Sequence, residues 1–107
     1  MASKRLDVAG IAVSPDHYID GRRVPSAETF ALFSPIDQRP LGRVSEAAAT
    51  EVDGAIVAAQ RAFPAWSATS PVARQRLLHR FADETAARGE ALCLLESNDA
   101  GVLLSPV

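Results

Sequence analysis

The chain has 107 residues, a formal net charge of -2 and a hydrophobic fraction of 48%, which suits one folded domain rather than a disordered chain. The slight acidic excess disfavours nucleic acid as a partner, because nucleic-acid-binding modules usually carry a basic excess. The single cysteine, Cys93, excludes an internal disulfide, and no apolar run approaches the about eighteen residues that cross a membrane.

Residues 1–16 have no sustained hydrophobic period and end in turn-forming residues, so they are predicted to be a flexible tail. No signal core is recognisable in them, and we expect a cytoplasmic protein. The short runs His17–Ile19 and Arg22–Val24 flank Asp20 and Gly21, the commonest sequence of a two-residue hairpin turn. A small antiparallel hairpin is predicted there.

The next segment, Thr29–Phe33, is rich in strand formers and is followed by a turn that contains Pro35. Residues 41–44 predict a third extended piece. The first half of the chain is therefore expected to consist of short antiparallel strands with exposed edges.

The clearest element is a helix predicted over residues 50–66. Thr50 and Asp53 resemble a capping box, and apolar residues follow at helical spacing. This predicted stripe consists of Val52, Ala55, Ile56, Ala59, Ala62, Phe63 and Trp66. Because proline has no amide hydrogen, Pro64 is predicted to end the helix near Ala62 or Phe63 and to leave Trp66 on the exit turn.

A second helix is predicted from the N-cap pair Ser70 and Pro71 to about Arg88. Glu84 and Arg88 are spaced for an i,i+4 ion pair. Gly89 then permits a break before a third helical segment over residues 90–98. Strands followed by helices would ordinarily indicate an α+β arrangement.

Few residues are candidates for chemistry. The glycines form no phosphate-binding pattern, so no nucleotide site is predicted. Cys93 lies between leucines without a local base and is interpreted as a packed or idle thiol. His17 and His79 lack the spacing of metal ligands. Asp99 could cap a helix, bind a cation or face water, and a cap or a solvated group is favoured.

Composition and periodicity lead only to a soluble domain of strands and helices, but six segments in order resemble the N-terminal part of the aldehyde dehydrogenase superfamily. They are residues 18–21 (YIDG), 33–37 (FSPID), 51–53 (EVD), 58–66 (AAQRAFPAW), 76–78 (RLL) and 95–101 (LESNDAG). The resemblance covers about residues 17–101, and residues 17–107 are expected to form an incomplete part of such a domain.

The resemblance implies an α/β fold: antiparallel hairpin strands followed by two to three helices at the start of the cofactor-binding domain. It also implies a parent enzyme, usually a homo-oligomer, that oxidises an aldehyde to a carboxylic acid with NAD or NADP. In that family a cysteine thiolate attacks the carbonyl, hydride passes to the nicotinamide and water hydrolyses the thioester. The catalytic cysteine, the general-base glutamate and the cofactor site come later in the family's chain, and Cys93 is not the catalytic position. No bound cofactor is expected for this chain alone.

One binding site of the family has partial matches here. Some relatives hold a monovalent cation with the backbone carbonyl and the aspartate that correspond to Phe33 and Asp99, the other ligands lying beyond residue 107. The match weakens near the end, where Val102 and Leu103 replace a common lysine and proline and residues 105–107 do not continue the pattern. Either a divergent branch or a change of reading frame nearby would explain this.

Two hypotheses follow from the sequence. The first is an N-terminal portion of an NAD(P)-dependent aldehyde dehydrogenase, inactive alone, whose partner is the remainder of that fold. The second is a small non-catalytic helical module that docks a partner through Val52, Ile56, Phe63 and Trp66. Under the first hypothesis, Trp66 is predicted to be less buried than its apolar surroundings suggest.

Overall fold

The fold is a computed structural model that describes residues 1–104. Strand pairs come first and helices follow, as predicted from the order of the segments. The strands are β1 (Leu6–Val8), β2 (Ile11–Val13), β3 (His17–Ile19), β4 (Arg22–Val24), β5 (Thr29–Phe33) and β6 (Pro40–Ser45), and the helices are α1 (Ala49–Ser67), α2 (Pro71–Ala87) and α3 (Gly89–Ala100). Each strand pairs antiparallel with its neighbour in the chain.

The first hairpin, β1–β2, lies within residues 1–16, for which the sequence predicts a flexible tail and no strand. Its turn residues Ala9 and Gly10 have φ angles of 52° and 80°, and the carboxylate of Asp7 accepts a hydrogen bond from the N–H of Gly10 at 3.1 Å. Alanine seldom adopts a positive φ, which is why the sequence did not indicate a turn. The strands at residues 6–8 and 11–13 were not predicted, and the flexibility of residues 1–16 stays a prediction.

The second hairpin, β3–β4, is the one predicted from the Asp-Gly turn. Asp20 and Gly21 both have positive φ angles, of 53° and 74°, as a two-residue turn between twisted strands requires. Tyr18 lies opposite Arg23, whose guanidinium carbon is 5.1 Å from the centre of the tyrosine ring.

The third hairpin, β5–β6, confirms the two predicted extended segments. Its register shifts between Leu32 and Phe33, which pair with Gly42 and Pro40, so one residue of β6 is extra at this point. Gly42 has a φ of 147° there. The N–H of Ser45 at the end of β6 donates to the carbonyl of Pro15 at 2.9 Å, which ties this hairpin to the start of β3.

Helix α1 departs from the sequence prediction at both ends. It begins at Ala49, and its cap comes from Glu51, whose Oε2 accepts a hydrogen bond from the N–H of Ala48 at 2.7 Å, not from Thr50 and Asp53. It continues through Pro64 to Ser67, so the predicted end near Phe63 is wrong. The turn after the proline is held by the Ser67 hydroxyl, which donates to the carbonyl of Pro64 at 3.0 Å.

Helices α2 and α3 agree better with the sequence. The hydroxyl of Ser70 accepts a hydrogen bond from the N–H of Ala73 at 3.2 Å, and Pro71 occupies the first turn, as predicted. Asp99, expected to lie past the last helical turn, instead lies within α3. That helix ends at Gly101, whose φ of 73° is left-handed and is typical of a helix C-terminus.

A hydrophobic core is missing from residues 1–104: no apolar side chain is buried, and the buried polar residues are Asp16 and Ser34. The accessible surface is 8313 Å², whereas a compact chain of this length exposes about 5,700 Å². The radius of gyration is 16.9 Å, against about 13 Å for a compact domain of this size. The elements are formed, but they do not enclose an interior.

Candidate functional site: an open apolar stripe on helix α1

The small and the large apolar residues of helix α1 differ in what they face. Its alanine side, with Ala55, Ala58 and Ala62, lies across a shallow gap from the turn of β3–β4. Arg61 bridges the same gap, with its Nη2 atom 2.6 Å from Oδ2 of Asp20. Small side chains let the hairpin approach the helix closely, and the ion pair adds little because both partners are exposed.

The large apolar residues of α1 lie on the same broad apolar face and remain exposed. We call Val52, Ile56, Phe63 and Trp66 the open stripe. Phe63 is 64% exposed and Trp66 is 44% exposed, which confirms the prediction that Trp66 would be incompletely buried. Burying such side chains contributes about 1.5–3 kcal/mol each, and roughly half of that free energy is not gained here, because about half of their surface is exposed.

Helix α2 also exposes large apolar side chains. Leu77, Leu78 and Phe81 are exposed, Phe81 by 72%. Among residues 1–104, the closest packing of a helix against another element is that of α1 against β3. The apolar surface of the helices is therefore available to something outside these residues.

The charged groups of α2 are arranged as on a solvated helix surface. Glu84 and Arg88 form the predicted i,i+4 ion pair. The hydrogen bond from Arg88, together with its charge, lowers the pKa of Glu84 below the ordinary value of 4.5. Both side chains are largely exposed, so this pair stabilises the helix locally and builds no reactive site.

The residues considered for chemistry are not assembled into a site. Cys93 is exposed on α3, so it is not packed as one interpretation of the sequence proposed. The ring Nε2 of His17 lies 2.8 Å from the hydroxyl of Ser26, and His79 is exposed on α2. Residues 1–104 contain no group of three or more His, Cys, Asp or Glu side chains that could hold a metal ion.

A nicotinamide cofactor would need backbone amides presented at a glycine-rich turn before a helix. The glycines with positive φ in residues 1–104 are Gly10, Gly21, Gly42 and Gly101. They lie in hairpin turns, at a strand irregularity and at the C-terminus of α3. None of these four glycines forms a glycine-rich turn before a helix.

The two residues matched to a cation site lie at the ends of two elements that meet. Phe33 ends β5 and Asp99 lies in the last turn of α3. A methyl group placed on Gly101 would be 3.3 Å from Cγ of Pro35, so the segments that follow these residues are in contact. The sequence departure at residues 105–107 falls outside the described residues.

Comparison with known proteins identifies this arrangement. The family model described as the aldehyde dehydrogenase family matches residues 23–106. The chain belongs to the aldehyde dehydrogenase family. It is 38% identical over 86 residues to a 2-aminomuconic semialdehyde dehydrogenase of Danio rerio, covering 80% of this chain and 18% of that protein. It is also 34% identical over 95 residues to the NADP/NAD-dependent aldehyde dehydrogenase PuuC of Escherichia coli K12, covering 85% and 19%.

Solved structures of the family agree with the fold. A crystal structure of PnpE in complex with nicotinamide adenine dinucleotide matches with a TM-score of 0.74 and 44% identity, over 78% of this chain and 18% of that one. A crystal structure of a Burkholderia cenocepacia protein matches with a TM-score of 0.73 and 38% identity, over 92% and 18%. The chain thus corresponds to the start of the aldehyde dehydrogenase fold and spans about a fifth of the length of its relatives.

Residues 1–104 include no helix that is both long enough and apolar enough to cross a membrane.

The division of α1 into an alanine side and an open stripe was not apparent from the sequence, because all of these residues share one broad helical face. The clearest local signal was side-chain size, since the small residues face the hairpin and the large ones do not.

Proposed function

We propose that this chain is the N-terminal portion of an NAD(P)-dependent aldehyde dehydrogenase that oxidises an aldehyde to a carboxylic acid. Its own role in that enzyme is to form a packing surface, and it is inactive alone. The observation that supports the proposal best is the open stripe on α1, in a chain that belongs to this family and whose residues 1–104 bury no apolar side chain.

The size of the uncovered surface supports a large partner. The accessible area of 8313 Å² exceeds that of a compact chain by roughly 2,600 Å². This is as much as one partner loses in a large obligate interface, in which about 2,000–5,000 Å² is buried over both partners. We propose that the remainder of an aldehyde dehydrogenase fold covers the open stripe and the exposed residues of α2. The proposal includes a cytoplasmic, homo-oligomeric parent enzyme, as the family resemblance implies.

A spectrophotometric assay tests the inactivity of the isolated chain. Purified protein is mixed with NAD or NADP and a panel of aliphatic, aromatic and semialdehyde substrates, and absorbance of the reduced nicotinamide is followed. We expect no rate above the blank, because neither a cofactor site nor a reactive cysteine is assigned to these residues. Sustained turnover that scales with protein concentration would refute this part of the proposal.

A chimera tests the packing role. Escherichia coli PuuC is expressed without the segment aligned to this chain, with this chain in its place, and with the aligned segment of the Danio rerio relative as a control for the swap. We expect the truncated enzyme to be insoluble and inactive and both chimeras to recover aldehyde-dependent NAD(P) reduction. Recovery with the Danio rerio segment but not with this chain would contradict the proposal.

The partial cation site is a separate proposal that rests on the same family resemblance. Phe33 would contribute its backbone carbonyl and Asp99 its carboxylate, and further ligands would come from outside this chain. In the active chimera, Asp99→Asn should raise the potassium or sodium concentration that half-maximally stabilises the enzyme against heat, while Asp83→Asn should not. An unchanged cation dependence of the Asp99→Asn enzyme would remove the site.

The alternative of a self-sufficient interaction module is separated from this proposal by size-exclusion chromatography and thermal melting. A module that folds by itself elutes as a monodisperse species and melts cooperatively. Aggregation or a broad, non-cooperative melt is expected here, because cooperative unfolding needs a packed interior.

A further inference from the structure

Asp16 is the one charged residue in residues 1–104 whose side chain is buried, with 7% of its surface exposed. Its Oδ2 atom accepts a hydrogen bond from the backbone N–H of Ser3 at 2.8 Å. Its Oδ1 atom is buried without a hydrogen-bond partner. A buried carboxylate requires compensation for its lost hydration. The N–H of Ser3 is the principal group that stabilises the Asp16 carboxylate in this buried position.

The position of this bond in the chain matters as much as its strength. Ser3 precedes β1 and Asp16 follows β2, so the bond closes the base of the first hairpin. Asp16 is itself fixed to the second hairpin, since its carbonyl accepts a hydrogen bond from Nη1 of Arg23 at 3.4 Å. Asp16 therefore contacts Ser3 through its carboxylate and Arg23 of β4 through its backbone carbonyl.

The second attachment of this segment is apolar. Leu6 lies so close to Gly42 in β6 that a methyl group added to the glycine would be 2.7 Å from Cδ2 of the leucine. Strand β1 thus lies against β6, and residues 1–13 are held at Leu6 and at Ser3. The strand β1 makes no ladder hydrogen bonds with β6, so few interactions oppose its release.

We propose that Asp16 and Ser3 form a latch that holds residues 1–13 as a strap over β6, and that the strap opens when this bond is lost. The proposal is independent of the proposed enzymatic function. Arg23 on β4 and the N-terminal amino group are the charged groups that act on the carboxylate.

Hydrogen bonding from Ser3 lowers the pKa of Asp16 below its ordinary value of 3.8, with Arg23 acting in the same direction and burial opposing it. A carboxyl group whose pKa is lowered on folding stabilises the folded form above its ordinary pKa. The latch is therefore closed at neutral pH and opens as the pH falls through the lowered pKa.

Nuclear magnetic resonance of the whole chain tests the latch. The carboxyl carbon of Asp16 and the amide of Ser3 are titrated together, in the wild type and in Ser3→Pro, which removes the donor and leaves Asp16 in place. We expect one shared midpoint below 3.8 in the wild type. In Ser3→Pro the midpoint should rise, and the amides of β1 and β2 should exchange at least tenfold faster while those of α1 are unchanged.

Asp7→Asn is the matched control, because that carboxylate accepts its hydrogen bond within the β1–β2 turn and should affect exchange at Gly10 alone. An ordinary Asp16 midpoint with no response from the Ser3 amide would overturn the latch, whatever the variants do. Unchanged exchange of β1 and β2 in Ser3→Pro would also overturn it. Neither result bears on the chimera experiment with PuuC.

Discussion

At the scale of single residues, two positions with unusual backbone angles affect the first hairpin, one in its turn and one in β6, against which Leu6 packs. Ala9 adopts a φ of 52° and Gly42 a φ of 147°. The first angle is costly for any residue with a side chain, and the second is accessible at little cost only to glycine. Ala9 is therefore not the optimal residue for its conformation, whereas Gly42 is the residue that its conformation requires.

Replacing Ala9 with Asn is expected to stabilise the β1–β2 hairpin. Asn adopts the left-handed region more readily than Ala, and part of the about 1–2 kcal/mol cost of that region should be recovered. Hydrogen exchange of residues 6–13 should slow severalfold.

The control for that variant is Ala12→Asn, which places the same side chain on the exposed strand β2 at an extended position. It should leave exchange unchanged or make it faster. If Ala9→Asn exchanges as fast as the wild type, the left-handed turn is not the feature that limits the hairpin.

Two glycine-to-alanine substitutions are expected to act in opposite directions. Gly42→Ala should weaken β6 and displace Leu6, at a cost of about 1–3 kcal/mol for the strained backbone. Gly54→Ala should raise the helicity of α1, because nothing lies within 4 Å of the added methyl group and alanine favours a helix by about 1 kcal/mol over glycine. Circular dichroism measures the second effect and hydrogen exchange the first.

Combining Leu6→Ala with Gly42→Ala separates two reasons why position 42 needs glycine: the close contact with Leu6 and the strain at a positive φ. It removes the clash with the added methyl group but not the strain at φ. The double variant should therefore recover only part of what Gly42→Ala loses. Full recovery would mean that the contact alone makes glycine necessary.

At the scale of elements, α1 shows how a proline near a helix end can be tolerated. Pro64 removes one backbone hydrogen bond, but the last turn gains others. The N–H of Ala68 donates to the carbonyl of Pro64 at 3.2 Å, and the hydroxyl of Thr69 donates to that of Ala65 at 3.1 Å. The helix thereby carries Trp66 in its last turn rather than in a loop.

The ion pair on α2 gives that helix a predicted pH dependence. Because the pKa of Glu84 is lowered by Arg88, the pair stabilises α2 above the ordinary pKa and this contribution is lost as the pH falls through the lowered value. The ellipticity at 222 nm should fall on acidification by more in the wild type than in Glu84→Gln. A salt concentration of about 1 M should reduce the difference, since exposed charges are screened.

Asp83→Asn serves as the control for this titration, because Asp83 has no ion-pair partner among residues 1–104. It should keep the pH dependence of the wild type. If Glu84→Gln and the wild type lose ellipticity in parallel, the pair makes no measurable contribution to the helix.

At the scale of the whole molecule, residues 1–104 form helices and strands but bury no apolar side chain. Helix formation in proteins is sustained mostly by packing of an apolar face, and here that face is uncovered. We therefore expect the isolated chain to bind hydrophobic dyes such as ANS, as loosely packed states do.

The open stripe can be changed without disturbing the rest of the isolated chain. Phe63→Ser combined with Trp66→Ser should lower ANS fluorescence while changing ellipticity little, because neither side chain is buried here. In the PuuC chimera the same double variant should abolish soluble activity, since two large side chains would no longer fill the interface, at about 3–5 kcal/mol each.

Ala58→Leu is the complementary change, on the side of α1 that faces the β3–β4 turn. It should disturb that hairpin even in the isolated chain. A chimera that tolerates the Phe63 and Trp66 substitutions would show that the open stripe is not the interface.

The sequence by itself determined the family, the strand pairs from residue 17 onward, the helix starts at Ser70 and Gly89, and the incomplete burial of Trp66. These features depend on local chemistry: an Asp-Gly turn, a Ser-Pro cap and an ordered set of family segments. The first hairpin was missed because Ala9 gives no turn signal, and the end of α1 was misplaced because bonds around Pro64 compensate for it.

Only the tertiary structure decided which apolar residues of α1 face the β3–β4 hairpin. Ala55 and Phe63 share one broad apolar face in the sequence, and periodicity cannot tell which part of such a face meets a neighbour. The β3–β4 hairpin can approach the helix closely only where the side chains are small. The large side chains therefore remain exposed within residues 1–104. Burial is a property of the surrounding chain and not of the helix, so it could not be read from the helix pattern.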